Sequence, residues 1–430
     1  MLTILVAITG SVLVAFLRPV LGLSVYAILS MWYPYCVGAV SVGTIDFSVG
    51  RIVIIALFFK IFFSANLVSR FKIILLDKLV IILFAAEVVA GITKIDAMKL
   101  LENRSGDFFD MALPYFAVRL IITNRRELIT LLKTVAWSAA LLAIFGIYES
   151  LTGNNLLKLG RPLPIPAIRL NFFHRAQTTF HQTIYYGVFS TMVAAACAGL
   201  IKNAKEHKYL YLFLVVLMFL GTFSSMSSGP LMCMIGSLLF IAFYKYRYYW
   251  KQALIVIVIL CGMVEIISNR HFYDVIDRFA FSGESSWYRG RLFEVAIFEG
   301  GMSGHWLTGY GFSDPDWGAR IDGNRTDIVN HYLLELCQYG LVGFVPFCAL
   351  IFTVVKRLFS SFWKITNDTH RWMVWCIGAS LFGVLLAFNS VALFGTPMVM
   401  LYVIFGLCAN LSTLVNAQPN PQFTVPLLRK

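Results

Sequence analysis

Apolar runs of about 20 residues recur along nearly the whole chain, and they constrain it more than any other feature. A run of that length, coiled as a helix, matches the hydrocarbon thickness of a bilayer. Inside a bilayer every backbone amide must be satisfied within the protein, which leaves helices or a closed barrel. Barrel strands alternate apolar and polar residues over about 10 positions. Here the runs are continuous, at 2–17, 20–40, 51–69, 79–93, 107–123, 128–149, 179–201, 209–225, 229–244, 252–268, 331–355, 372–389 and 394–414. The sequence therefore predicts an all-α, polytopic integral membrane protein with 12–14 transmembrane helices.

Composition narrows the class further. The 430 residues are 59% hydrophobic and 13% charged, against about 25% charged in a soluble domain. A soluble enzyme, a disordered chain and a secreted disulfide scaffold are excluded. All eight cysteines fall in or beside apolar runs, so neither a disulfide framework nor a zinc site is expected. No basic region precedes the first run, which reads as a retained span and not a cleaved signal peptide.

The formal net charge of +13 is first a topology signal. When alternate loops are assigned to one side, that side collects 19 of the 35 basic residues in short loops, from Arg18 to Lys430. This side is expected to be cytoplasmic. Insertion then accounts for the positive balance, and no nucleic-acid partner is needed. The opposite side carries the longer segments 94–106, 150–178 and 269–330. The chain divides into 1–268 with ten spans, a long extracytoplasmic loop 269–330, and closing spans with a cytoplasmic tail at 331–430. Trp287, Trp306 and Trp317 make the long loop too aromatic for disorder. Its stretch 285–299 suits an amphipathic helix.

Arginines mark where chemistry could lie. Arg161, Arg169 and Arg175 in one outer loop, and Arg270, Arg278, Arg289, Arg291, Arg320 and Arg325 in the long one, work against the topology bias, beside a lone Lys158. An arginine fork binds phosphate bidentately, which suits a lipid-linked phosphate or diphosphate. The alternative is pairing with the loop's own acids, such as Asp274, Asp277 and Glu284. His331, in Asn330-His331-Tyr332, stands where the long loop enters a span and could act as a general base, or could serve as an interfacial residue at a helix start. Trp287 and Tyr288 beside Arg289 suit a glycan attached to a phosphate, or an aromatic belt. Asp314-Pro315-Asp316 could bind a divalent metal, though acidic turns are common. Among charges within spans, Lys60, Arg119, Glu149 and Glu265 could snorkel to an edge, while Glu87 is deepest and should be paired internally.

These stretches, in this order, resemble the O-antigen ligase and polymerase superfamily of bacterial envelope glycosyltransferases. Arg175-Ala176-Gln177-Thr178-Thr179-Phe180 resembles the family's Arg-x-x-Gly-Thr-Phe segment, with Thr178 in place of the glycine. Ser227-Ser228-Gly229 resembles its Ser-Arg-Gly segment, with Ser228 in place of the arginine. Tyr288-Arg289-Gly290-Arg291 and Gly309-Tyr310-Gly311 resemble landmarks of its large loop. Asn330-His331-Tyr332-Leu333 with Gly340 and Gly343 resembles its His-Asn-x-x-Leu run and the Gly-Leu-x-Gly that follows.

The resemblance implies a GT-C-like membrane enzyme of the bacterial inner membrane, active on its periplasmic face. It implies inverting transfer of a glycan from undecaprenyl diphosphate to an acceptor hydroxyl, with no metal or cofactor. His331 would be the base and Arg289 would stabilise the departing diphosphate. Arg291, Arg175, Trp287, Tyr288 and Asn330 would bind substrate. The missing arginine at Ser228 favours a polymerase of lipid-linked repeat units into O-antigen or exopolysaccharide. A ligase acting on lipid A core or protein is the alternative, and a lipid-linked glycan flippase or transporter the second. A chain-length regulator and a flippase of the same pathway are candidate partners, besides the bilayer and the lipid-linked glycan.

Overall fold

The computed structural model describes residues 1–92, 94, 96–159, 168–169, 172–204, 206–267, 283–321 and 326–416. A helix stands at each apolar run. They are α1 (Leu2–Phe16), α2 (Pro19–Trp32), α3 (Val49–Phe62), α4 (Leu75–Ile92), α5 (Ala97–Asp107), α6 (Leu113–Ile121), α7 (Arg125–Thr152), α8 (Thr183–Cys197), α9 (Lys208–Ser224), α10 (Ser228–Phe243) and α11 (Trp250–Ile267), then α12 (Gly283–Phe293) in the long loop, and α13 (His331–Lys364), α14 (Asp368–Ala387) and α15 (Thr396–Asn416). By length and composition, the helical stretches Arg125–Thr152, Thr183–Asn203, Ser228–Ile267, His331–Lys364 and Asp368–Ala387 are each sufficient to cross a membrane; Leu2–Phe16, Pro19–Trp32, Lys208–Ser224 and Thr396–Leu411 are shorter apolar helices. The chain is an all-α polytopic membrane protein.

Local chemistry sets the helix limits. Asn124 and Glu127 form a reciprocal cap at the start of α7, and Gly153 ends it at φ 73°. The run at 20–40 is expected as one span, yet α2 stops at Trp32. Pro34 lacks a donor, and Gly38 and Gly43 take φ of 85° and 64°. The chain instead forms a hairpin of β1 (Val40–Val42) and β2 (Ile45–Phe47), paired antiparallel. Between α5 and α6 the helix widens to a π turn at Phe108–Ala112. Pro114 follows at once, and its ring would clash with the Asp110 carbonyl in a regular α-helix.

Long-range contacts sort the helix ends into two sets. At the basic end Lys202 pairs with Asp368 at 2.9 Å, and Arg125 donates to Asn203. At the other, the loop end, the Tyr35 amide donates to the Thr179 carbonyl at 2.9 Å and the His331 amide to that of Phe388 at 2.8 Å.

α8 is the centre of the bundle, buried from Tyr186 to Cys197. Gly146 and Gly221 make room for the Tyr186 phenol; a Cβ at Gly146 would lie 2.1 Å from its oxygen. Hydroxyls tie neighbouring helices, Ser190 to the Met218 carbonyl at 2.8 Å and Ser380 to that of Met192 at 2.7 Å. Such small and hydroxyl-bearing contacts hold helices together where lipid removes the hydrophobic drive. Lys60 donates to the last carbonyls of α1 at Val14 and Ala15. Arg119 does not snorkel. It is buried against Asp77 at 2.8 Å, with Tyr115 donating to the same carboxylate and Asn410 accepting from the guanidinium. A partner inside costs less than the path to water.

Candidate active site

The described part of the long loop folds against the first turns of α13. α12 runs on into a π turn at Glu294–Phe298, covering the stretch expected to be helical. Leu292, Val295, Met302 and Trp317 pack with Leu333, Leu336 and Cys337 of α13 in a small core of their own. Trp317 is 3% exposed, whereas Trp287 is 54% exposed and faces outward.

Gly340 interrupts α13 at φ 59° and ψ −160°. The break frees backbone groups, and the loop takes them up. Amides of Tyr310 and Gly311 donate to the carbonyls of Cys337 and Gln338 at 2.6 and 3.0 Å. Amides of Leu341 and Val342 donate to those of Trp306 and Leu307 at 2.7 and 3.1 Å. Non-helical backbone at this depth is tolerable because protein buries it. The contact leaves no room for a side chain, since a Cβ at Gly340 would lie 2.4 Å from the Leu307 carbonyl and one at Gly309 2.5 Å from that of Cys337. Gly309 and Gly340, separate in sequence, are one joint in space.

His331 opens α13 and is 1% exposed. Its ring lies against Phe388, centroids 4.4 Å apart, and Phe347, 5.7 Å apart. Nε2 is 3.8 Å from Oε1 of Glu335. Neither ring nitrogen, nor Oε2 of Glu335, has a hydrogen-bond partner among the described residues. Asn330 caps the helix, its Oδ1 accepting from the Leu333 amide at 3.0 Å while its Nδ2 donates to the Asn389 carbonyl.

One turn beyond Glu335, Tyr339 donates no charge but meets a cluster of them. Arg104 bonds its hydroxyl at 2.5 Å, pairs with Asp107 at 2.6 Å and with Glu87, and lies over the Tyr339 ring at 4.9 Å. Glu87 is thus paired internally, as its depth requires. Arg51 sits alongside, its Nη2 on Asp110 at 2.6 Å and its Nη1 on the Asp46 carbonyl at 2.6 Å.

The segment after β4 (Phe173–His174), which pairs with β3 (Ile168–Arg169), crosses the loop end. Glu149, expected at an edge, is buried and accepts from the amides of Gln177 and Thr178 at 3.2 and 2.8 Å. Unpaired amides reward a carboxylate there. Thr178 takes φ 51° at the position where the family has glycine. Arg175 Nη2 donates to the Ser227 hydroxyl at 2.7 Å, one residue before Ser228. Tyr288 Oη donates to the Asp327 carbonyl at 3.0 Å and accepts from its amide at 2.8 Å. Arg289 is half-buried on α12. Arg291 is held by Glu299 at 2.5 Å and Glu294 at 3.1 Å, which raise its pKa above the ordinary value. Asp314 closes a turn by accepting from the Asp316 amide at 3.0 Å. Arg161, Arg270, Arg278, Arg325, Asp274 and Asp277 lie outside the described residues, as do the side chains of Arg169 and Glu284.

A cavity of about 570 Å³ opens at the same end. α2 and α3 line it with Tyr26, Ser30 and Arg51, the 179–182 segment with His181 and Gln182, α8 with Tyr185, and the turn into α15 with Phe394.

Residues 213–348 match the family model described as O-antigen ligase. The matched stretch runs from α9 through the long loop to a point eight residues past the Gly340 break. It contains Ser227, Arg289, His331, Glu335 and both halves of the glycine joint. The superfamily that the sequence resembles is thereby supported, and with it a membrane glycosyltransferase of ligase or polymerase type. No curated protein matches the chain. Arg51, Glu87, Arg104, Glu149 and Arg175 lie before the match. Of these, the sequence reading left out Arg51 and Arg104. Both are arginines on the side expected to be poor in them, which is the signal already used for the loops.

Proposed function

We propose that the chain is a glycan polymerase. It joins oligosaccharide repeat units carried on undecaprenyl diphosphate into O-antigen or exopolysaccharide, on the extracytoplasmic face of a bacterial inner membrane. The observation that carries this reading is the set of three buried polar atoms on His331 and Glu335 that have no hydrogen-bond partner among the described residues. A buried polar atom without a partner calls for an explanation, and a substrate hydroxyl supplies one.

In this reading His331 takes the proton from the acceptor hydroxyl. The hydroxyl oxygen bonds to the anomeric carbon as the bond from that carbon to the phosphate oxygen breaks. Attack opposite the leaving group inverts the centre. The lipid diphosphate leaves with its charge stabilised by Arg289 and Arg175, and Arg291, Trp287, Tyr288 and Asn330 assist binding. The carrier lipid supplies the energy, so no nucleotide takes part. His331 lies beneath Phe388 and Phe347, so these rings must part when the acceptor binds.

A second reading is a ligase that moves the glycan to lipid A core or protein. The Arg175–Ser227 contact favours it, because it supplies a guanidinium where the family's ligase-type arginine is missing. A gel assay separates the two. Protein in nanodiscs receives one lipid-linked repeat unit and no other acceptor. A ladder of multiples, absent with His331→Ala, is the polymerase outcome. Transfer that waits for lipid A core or a protein acceptor is the ligase outcome. No product under either condition overturns both and leaves a lipid-linked glycan flippase.

A further inference from the structure

The cavity between α2, α3 and the 179–182 segment has no part in the chemistry above. Its volume, about 570 Å³, falls in the range of about 300–1,000 Å³ usual for small-molecule sites. Its charge is already balanced. Arg51 Nε lies 3.2 Å from both oxygens of Asp110 and its Nη2 2.6 Å from one, while Nη1 donates to the Asp46 carbonyl. A diphosphate entering here would have to displace Asp110 and would then face that carboxylate, a like charge at close range. The wall is therefore unsuited to an anion. What it offers instead is the aromatic side chains of Tyr35 and Tyr185 with polar groups at His181 and Gln182. Flat apolar faces beside hydrogen-bonding groups complement a sugar ring, whose C–H faces are apolar and whose rim is hydroxyl.

The cavity also adjoins the residues assigned to transfer. Tyr185 packs on Phe394 with centroids 6.4 Å apart. Two residues before Tyr185, the Thr183 hydroxyl lies 3.3 Å from the Ser227 hydroxyl, which accepts from Arg175. Phe394 follows six residues after Phe388, the ring over His331.

We infer that this cavity holds the uncharged sugar portion of a glycan while the diphosphate stays outside it, near Arg289 and Arg175. The inference rests on the glycosyltransferase reading and names the part of the protein that receives sugar. The same chemistry serves a donor glycan or an acceptor glycan.

The test uses the full chain in nanodiscs. The probe is the oligosaccharide released by mild acid from the source cell's own lipid-linked repeat unit, and tritiated. Saturable binding is expected, with no displacement by inorganic pyrophosphate. Gln182→Ala and Tyr185→Ala should each weaken it about tenfold, the scale of one lost hydrogen bond or ring contact. Gln182→Trp, which fills the cavity from its exposed rim, should abolish it. In steady-state transfer the free oligosaccharide should compete with the donor or with the acceptor, and which one it competes with identifies the glycan held. Displacement by pyrophosphate overturns the inference. So does equal binding by all three variants, or competition with neither substrate. Transfer without saturable binding overturns it and leaves the glycosyltransferase reading standing. Saturable binding without transfer to any acceptor overturns that reading and leaves a glycan-binding cavity.

Discussion

Nε2 of His331 lies 3.8 Å from Oε1 of Glu335, one helical turn along α13. That is beyond a hydrogen bond yet close enough for the carboxylate to stabilise an imidazolium formed by proton uptake. Glu335 is placed as a positioning residue for His331. His331→Ala should lower transfer about 10²–10⁴-fold, the usual contribution of a general base. Glu335→Gln should lower kcat by a smaller factor and leave KM near wild type. Steady-state kinetics in nanodiscs reads both, and a change confined to KM would remove Glu335 from this role.

Arg289→Lys and Arg175→Lys should each cost much of the transfer activity. Lysine keeps the charge but loses the planar fork that grips a diphosphate. Initial rates with the lipid-linked donor check this, beside elution profiles showing intact protein. Wild-type rates in both variants would place the diphosphate elsewhere.

The Arg104 cluster is a matter of stability. Arg104 pairs with Glu87 and Asp107 in a buried setting. Arg104→Leu strands two carboxylates and should destabilise the protein by about 3–5 kcal/mol, as breaking a buried pair from one side does. Adding Glu87→Gln and Asp107→Asn to that variant should recover a large part of the loss. Unfolding midpoints in mixed micelles test the order, and a triple variant weaker than the single one would contradict it.

Gly340→Ala should destabilise the protein, because it combines positive φ with a Cβ 2.4 Å from the Leu307 carbonyl. Backbone strain of this kind costs about 1–3 kcal/mol before any clash. Gly309→Ala should act alike, and the double variant should cost less than the sum, since both open the same joint. Thermal melts of the four proteins make the cycle. Strict additivity would mean that the two glycines act apart.

The spans were legible because bilayer thickness fixes both their length and their apolarity. The end of α2 at Trp32 was not read, because Tyr35, Cys36 and Val37 continue the apolar run past Pro34 and mask the turn. That Glu87 needs a partner could be read from its depth. That the partner is Arg104 could not, since an intervening turn decides which arginine reaches back. Arg119 was expected at an edge because its acceptors, Asp77 and Asn410, are 42 and 291 residues away. In the site, His331 and the glycines stood out one by one. The joint between Gly309 and Gly340, and the approach of Arg175 to Ser227, are tertiary contacts with no local signature.

The joint at Gly340 bears on how the chain is made. Residues 337–342 lie in a helix long and apolar enough to cross a membrane, with backbone groups that their own helix cannot satisfy, and lipid would offer nothing in return. The segment that completes them, 306–311, lies earlier in the chain and leaves the ribosome first. The partner is therefore already synthesised when α13 is completed. Docking of 306–311 and completion of α13 become one step of biogenesis, and a chain whose loop fails to dock should be recognised as misassembled at that helix.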